Sequence, residues 1–167
     1  MAGGLSDMST KTAEIPTVPE LDLYRFEGTW FEVARLPLPI PLGADWVNTS
    51  DTYTRLDEQR WRVIYRGNKG SSNGPERSLR QRLRVPDPTQ PGEMQVSFLW
   101  PVWLPYRLIY VSQDYHYMLV TSSSMRLLWV MSREPVPPDH EYDRLVAMAS
   151  EYGFDTESLY RVPQEAT

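Results

Sequence analysis

The stretch Glu27–Pro37, EGTWFEVARLP, decides the fold. It opens a β-rich run with Gly28 and places a large aromatic ring, Trp30, only two residues later. In a strand, successive side chains point to opposite faces, so Phe31 and Val33 lie on one face and Trp30 lies on the other. Both faces therefore carry apolar groups, which predicts a strand with a core on one side and a covering element on the other.

Short β-rich runs of the same kind recur from Leu21 to about Arg133, separated by turn clusters rich in Gly, Pro, Asp and Ser. Consecutive antiparallel strands joined mostly by short loops suit an up-and-down closed barrel, which leaves no edge exposed. The sequence therefore predicts an all-β, eight-stranded antiparallel barrel with strands at 28–36, 47–56, 60–67, 76–85, 93–100, 106–112, 116–121 and 126–133.

One amphipathic helix is predicted after the barrel. Prolines end the strands, Asp139 can cap a helix, and apolar residues recur at helical spacing until Gly153. We expect this helix to pack outside the barrel on the first strand, and a short run over 158–163 to add an edge pairing. Residues 1–20 lack periodicity and predict a flexible tail, leaving 21–164 as the single domain.

Composition excludes several classes of function. The net charge of −5 argues against nucleic acid as a partner. The absence of cysteine removes disulfides, thiol catalysis and cysteine metal sites, and neither His116 nor His140 stands in a zinc-binding spacing. No apolar run approaches the roughly 18 residues of a membrane span. We therefore expect neither a metal nor a cofactor.

Three motifs fall at informative places in this order of elements: Gly28-Thr29-Trp30 opens the first strand, Gln113-Asp114-Tyr115 joins the sixth to the seventh, and Arg133 follows the eighth. Over about residues 21–164 the chain resembles the lipocalin family. It is most similar to the bacterial outer-membrane lipoprotein lipocalins of the apolipoprotein D-like branch. The resemblance implies that Arg133 lies across Trp30 at the closed end, a cation–π contact of ~1–2 kcal/mol when desolvated. It implies a structural motif at the barrel base made of Gly28, Trp30, Asp114, Tyr115 and Arg133.

The resemblance also implies a periplasmic or outer-membrane location. Those lipoproteins carry a lipid-modified cysteine at the mature N-terminus, whereas this chain contains no cysteine and begins without a signal-like segment. We therefore expect a natural precursor to have lost its signal and any anchor cysteine, or the protein to be soluble.

A barrel of eight strands is just wide enough for side chains or one small ligand. Alternation from Trp30 and Arg133 assigns the inward faces, and leaves Arg80, Arg82 and Arg84 as a solvated outer face. The same inward residues would suit either an open pocket or a solid core. The predicted ligand-binding residues are Tyr53, Val63, Tyr65, Leu83, Val96, Phe98, Trp100, Leu108, Tyr110 and Trp129.

Two loops at the predicted open end, 37–46 and 100–106, are apolar. Apolar side chains of this size are costly to leave in water. They would form a ligand portal, touch a membrane surface, or fold back over the mouth as a lid. The predicted portal residues are Ile40, Trp46, Trp103 and Leu104.

The resemblance implies a non-catalytic protein that binds or transports a fatty acid, lysophospholipid or similar amphiphile, with its tail toward Trp30. A role in envelope lipid storage or repair would follow, with a monomer or homodimer as the functional unit. Alternatives are a protein-interaction module using the apolar loops, a pigment binder, and an enzyme of the same fold. The enzyme would need an inward carboxylate, such as Asp51 or Glu32, with a raised pKa.

Overall fold

The predicted all-β barrel is confirmed in the computed structural model, which describes residues 12–39, 41 and 43–165. Each strand pairs antiparallel with the next, and β1 pairs with both β8 and β2, which closes the sheet. The eight barrel strands are β1 (Gly28–Arg35), β2 (Trp46–Arg55), β3 (Arg60–Lys69), β4 (Glu76–Arg84), β5 (Glu93–Leu99), β6 (Val102–Val111), β7 (Tyr117–Thr121) and β8 (Leu128–Ser132).

The predicted helix is α2 (Asp139–Glu151), and it lies outside the barrel. Its Leu145 and Ala149 are fully buried in a cluster with Val33 of β1 and Val130 of β8. The outer face of β1 is therefore covered, as its two apolar faces predict. A two-residue strand, β9 (Tyr160–Arg161), pairs with the end of β1 and completes that layer.

Two elements differ from the sequence-based expectation. Strand β6 begins at Val102 rather than at 106, because only residues 100 and 101 form the turn that joins it to β5. A one-turn helix, α1 (Leu23–Phe26), precedes β1 and was not predicted. It starts at Asp22, whose carboxylate accepts hydrogen bonds from the N–H groups of Tyr24 and Arg25. Four residues are too few to show a helical period.

The segment from Thr12 to Val18 lies against the barrel, although it falls within the tail expected over residues 1–20. The Arg107 guanidinium donates hydrogen bonds to the carbonyls of Thr12 and Ile15 and forms an ion pair with Glu93. Val18 adds a main-chain hydrogen bond of 2.9 Å to the carbonyl of Leu108. Thr12 and Ile15 are buried, so the packed structure starts ahead of residue 21.

Within the described residues, no helix is long and apolar enough to cross a membrane.

Candidate functional site

The closed end of the barrel is sealed by Arg133 lying on Trp30. The guanidinium carbon is 3.9 Å from the centre of the indole ring, and the indole is fully buried. The guanidinium also donates to the main-chain carbonyls of Thr29 (2.9 Å), Glu27 (3.0 Å) and Phe26 (3.1 Å). One side chain therefore joins the end of β8, the start of β1 and α1 into a rigid floor.

Gly28 is required by this floor. Its φ of 109° lies where side chains other than hydrogen are strained. A Cβ atom built there would also meet Nη1 of Arg133 at 3.2 Å. The glycine therefore allows Arg133 to approach the main chain of β1 closely.

The turn between β6 and β7 supplies the remaining residues of the base. Hydrogen bonds from the Ser112 hydroxyl and the His116 N–H hold the pKa of Asp114 below its ordinary value. Tyr115 follows with a φ of 56°, and its hydroxyl accepts a 2.7 Å hydrogen bond from the N–H of Asp22. The five predicted base residues thus lie together at one end of the barrel.

Above this floor the barrel encloses an open cavity of about 260 Å³ rather than a solid core. Most of its wall is aliphatic and aromatic, contributed by β2 to β6 and by β8, together with Leu38 and Pro39 after β1. Seven of the ten predicted ligand-binding residues line it: Tyr53, Val63, Tyr65, Leu83, Val96, Phe98 and Trp129.

The other three predicted residues lie elsewhere. Trp100 is in the β5–β6 turn and is 62% exposed. Leu108 is fully buried in the inner core that includes Trp30, outside the cavity lining. Tyr110 packs against the outer core, where its hydroxyl accepts a 3.2 Å hydrogen bond from Arg144 of α2. Tyr110 lies on the outer face because of a register shift at Ile109: this one extra residue in β6 reverses the faces of the residues that follow it.

One wall of the cavity carries polar side chains from three adjacent strands: Glu32 of β1, Asp51 of β2 and Tyr65 of β3. Asp51 lies opposite Trp30 on one side and opposite Tyr65 on the other. Glu32 is buried and forms an ion pair with Arg35. Asp51 Oδ1 and the Tyr65 hydroxyl are buried without a hydrogen-bond partner among the described residues. Buried polar atoms of this kind are uncommon, which points to a partner that enters the cavity.

Burial dominates the proton affinity of these groups. It raises the pKa of Asp51 well above the ordinary value of an aspartate, and the nearby negative charge of Glu32 raises it further. Burial also raises the pKa of Glu32, although the Arg35 guanidinium opposes this effect. Burial raises the pKa of the Tyr65 hydroxyl as well, so this group stays a neutral donor. The cavity is therefore an apolar tube with polar groups along one wall, where burial disfavours a negative charge on Asp51 and on Tyr65.

Two of the polar residues carried a sequence signal, because alternation from Trp30 places both Glu32 and Asp51 on inward faces. Tyr106 carried none, since it was expected at the boundary of a loop. Tyr106 lies on β6 and lines the cavity, where its hydroxyl shares a hydrogen bond with that of Tyr53 on β2. Burial raises the pKa of both tyrosines.

The four predicted portal residues are divided by the structure. Leu104 is 41% exposed and lines the cavity, so it lies at the rim. Trp46 is buried and stacks on Tyr65, with ring centres 5.3 Å apart, so it supports the wall from behind. Trp103 is part of β6 rather than of a loop, and Ile40 lies outside the described residues.

Comparisons with known proteins agree with this architecture. Residues 21–164 match the lipocalin-like domain family. The chain is 29% identical to temperature-induced lipocalin-1 of Arabidopsis thaliana over 166 residues, which cover 95% of this chain and 87% of that protein. It is 30% identical over 155 residues to the outer membrane lipoprotein Blc of Citrobacter freundii, covering 90% and 83% of the two chains.

Among solved structures, lobster apocrustacyanin A1 superposes with a TM-score of 0.69 at 13% identity, covering 98% of this chain and 87% of that one. At this identity the likeness supports the fold alone. The family match, by contrast, covers the whole barrel and the helix that follows it. With Gly28, Trp30 and Arg133 assembled at the closed end of an eight-stranded barrel, the chain belongs to the lipocalin family.

Proposed function

We propose that this protein binds and carries one single-chain lipid, a lysophospholipid or a fatty acid, without transforming it. The observation that carries this proposal is the cavity of about 260 Å³, closed below by Trp30 and walled mostly by apolar side chains. Burying an acyl chain there is favourable by ~0.8 kcal/mol per methylene. The volume is near the lower end of ligand pockets, roughly 300–1,000 Å³, which favours one acyl chain over a bulky ring system.

The polar wall favours a lysophospholipid over a free fatty acid. The Tyr65 ring lies beneath the loop that follows β1, since a Cβ atom on Gly43 would touch it at 2.9 Å. Its hydroxyl can donate to an ester carbonyl while the charged headgroup stays at the mouth. A bare carboxylate at the same depth would face the negative charge of the ion-paired Glu32, and like charges in a poorly solvated site repel strongly. The acyl tail then extends toward Trp30.

Native mass spectrometry of the purified protein, followed by extraction and identification of any bound molecule, tests the proposal. Quenching of the six tryptophans then reports titration with a lysophosphatidylcholine and a fatty acid of equal chain length. We expect one lipid per chain and tighter binding of the lysophospholipid. A clean unliganded mass with no response to either amphiphile would contradict the carrier function.

An acid–base enzyme on the same fold is the second candidate, favoured by one observation. Asp51 and Glu32 both line the cavity and burial raises the pKa of each, which is the condition that such chemistry needs. Glu32 is held by Arg35, so Asp51 is the group free to exchange a proton with a ligand. Recovery of the titrated lipid chemically unchanged after prolonged incubation supports the carrier; a product that Asp51→Asn abolishes supports the enzyme.

We further propose a cell-envelope location, in the periplasm or at the outer membrane. The support is the similarity to proteins named outer membrane lipoprotein Blc, 30% identical in Citrobacter freundii. Fractionation of cells that express the complete gene tests this, with recovery in the cytosol as the contrary result. Light scattering across a range of concentrations separates a monomer from a homodimer.

A further inference from the structure

The outer face of β3 and β4 carries two pairs of arginines directly opposite each other. Arg60 lies across from Arg84, and Arg62 across from Arg82. Like charges in such cross-strand positions destabilise a sheet. Arg66 and Arg80 extend the same outer face toward the open end of the barrel. These six residues are called the arginine face.

Carboxylates do not neutralise this face. Among the described residues, only Arg60 of the six has a carboxylate partner, Asp57 at 2.6 Å. Arg84 donates instead to the amide oxygen of Gln95 at 2.7 Å. Five guanidinium groups therefore lack a counter-charge, in a chain whose net charge is −5. A concentration of cations against an acidic background indicates an anionic partner.

An apolar tip adjoins the arginine face at the β5–β6 turn. Leu99, Trp100 and Val102 form this tip and are 66%, 62% and 52% exposed. Exposed apolar residues that adjoin each other mark interaction surfaces more often than isolated ones do. The tip is the most exposed group of large apolar side chains that are contiguous in the described chain.

Two cation–π contacts join the arginine face to the tip and to Trp103, which follows the tip in the chain. The Arg82 guanidinium lies 4.8 Å from the centre of the Trp100 ring, and that of Arg84 lies 3.9 Å from the centre of Trp103. The two indoles meet edge to face, with centres 6.2 Å apart. The arginines of β4 therefore interleave with aromatic rings and do not form the merely solvated face that the sequence suggested.

We infer that the arginine face and the apolar tip together dock the barrel onto an anionic phospholipid bilayer. Guanidinium groups bind lipid phosphates through paired hydrogen bonds, and clustered basic residues are attracted to anionic leaflets. Tryptophan is preferred at the membrane–water interface, where its amphipathic ring suits both phases. The exposed aliphatic side chains of Leu99 and Val102 favour a bilayer over a nucleic acid, because a bilayer has an apolar layer into which they can insert.

Docking in this orientation sets the cavity rim against the bilayer. The β5–β6 hairpin that carries the tip also contributes Phe98 and Leu104 to the cavity lining. A single-chain lipid would then pass between membrane and cavity over a short apolar path. The docking itself does not depend on what the cavity holds, so the two proposals fail separately.

Co-sedimentation with vesicles tests the docking surface. Wild-type protein should bind vesicles of equal phosphatidylglycerol and phosphatidylcholine, and bind pure phosphatidylcholine far less. Binding should weaken between about 0.1 M and about 1 M salt, as the Debye length falls from roughly 10 Å to 3 Å. Equal binding to both vesicle types, or binding insensitive to salt, would overturn the inference.

Matched variants locate the surface. Arg62→Gln with Arg82→Gln should weaken binding about 25-fold, from roughly fivefold per arginine near an anionic leaflet. Leu99→Ser with Val102→Ser should weaken it while leaving the salt dependence unchanged. The control Arg25→Gln removes an exposed arginine from α1, at the closed end of the barrel and away from this face, and should change nothing.

Two results would assign the surface to another partner. If an RNA oligonucleotide binds with the same arginine dependence and no effect of the tip, the face is a polyanion site rather than a membrane site. If the arginine and tip variants, with folded circular dichroism spectra, bind vesicles like wild type, the bilayer docks elsewhere.

Discussion

Replacing Asp51 by asparagine should stabilise the folded protein at neutral pH, and the gain should grow with pH. Burial and the charge of Glu32 raise the pKa of Asp51 in the folded state well above the value of roughly 3.9 in an unfolded chain. Between these two pKa values the folded state binds one more proton than the unfolded state. The unfolding free energy of the wild type therefore falls as pH rises through this interval.

The size of this pH dependence follows from the single proton that Asp51 binds or releases. A single group in this situation changes the unfolding free energy by ~1.4 kcal/mol per pH unit until its folded pKa is passed. Asparagine carries no such proton, so the difference between variant and wild type should increase by that amount for each pH unit between about 4 and the folded-state pKa of Asp51. Any constant effect of the new amide shifts the variant at every pH alike and leaves the slope untouched.

Urea unfolding followed by tryptophan fluorescence at about pH 5, 6 and 7 measures this slope. The matched control is Asp57→Asn, because Asp57 is an exposed aspartate whose pKa is lowered by hydrogen bonds from Gln59 and Arg60. Its contribution to stability is present above its unfolded pKa and is lost only as pH falls through the lower folded pKa. It should therefore leave the slope unchanged over this range. Parallel wild-type and Asp51→Asn lines would refute the buried-acid argument.

Three further predictions follow from the same contacts. Arg133→Met should lower the unfolding free energy by about 3 kcal/mol or more, since it removes a desolvated cation–π contact and several charged hydrogen bonds. The control Arg126→Met should change the unfolding free energy by no more than about 0.5 kcal/mol. Urea unfolding measures both changes, and equal effects of the two variants would contradict the prediction. Val96→Trp should fill the cavity and abolish lipid-induced quenching, at a cost of about 1–3 kcal/mol in stability; undiminished lipid binding by the folded variant would contradict the assignment of the cavity. Arg62→Gln should raise the unfolding free energy by roughly 0.2–1 kcal/mol, because it relieves repulsion across the strands from Arg82; a lower midpoint in urea would show that the pair is not repulsive.

The sequence predicts the barrel because alternation and turn composition repeat along the chain, and each repeat reinforces the others. The closed end can be predicted from the sequence as well, since Gly28, Trp30 and Arg133 fall at the ends of the first and last strands. The cavity wall follows by counting alternate residues from Trp30. This count holds along β3, β4 and β5, where the pairing of most wall residues is regular.

The count fails where the backbone departs from regular pairing. One extra residue at Ile109 sends Tyr110 outward, and a bulge of this kind has no signature in composition. Pro105 argues against a strand, yet it lies in the part of β6 that is paired only with β5, where a missing N–H is tolerated. The placement of Trp100 and Trp103 depends on these local departures and was not predictable.

The register of the arginine pairs was not predictable either. Alternation assigns Arg80, Arg82 and Arg84 to the outer face of β4, but it does not say what lies opposite them. The β3–β4 turn fixes Arg62 against Arg82 and Arg60 against Arg84. This register depends on the turn geometry rather than on either strand alone.

Three departures from the rules of stable packing lie at the cavity and at the membrane-docking surface inferred above. Asp51 is a half-buried acid with one buried, unpartnered oxygen, Arg62 and Arg82 repel each other, and Trp100 is exposed. At the closed end, by contrast, Trp30 is buried and its Nε1 donates to the carbonyl of Phe26 at 2.9 Å. A fold selected for stability alone would lack the first group and keep the second. Substitution of Arg62 is therefore expected to raise stability as it weakens bilayer binding, and substitution of Asp51 to raise stability at neutral pH, whereas substitutions at the base can only lower stability.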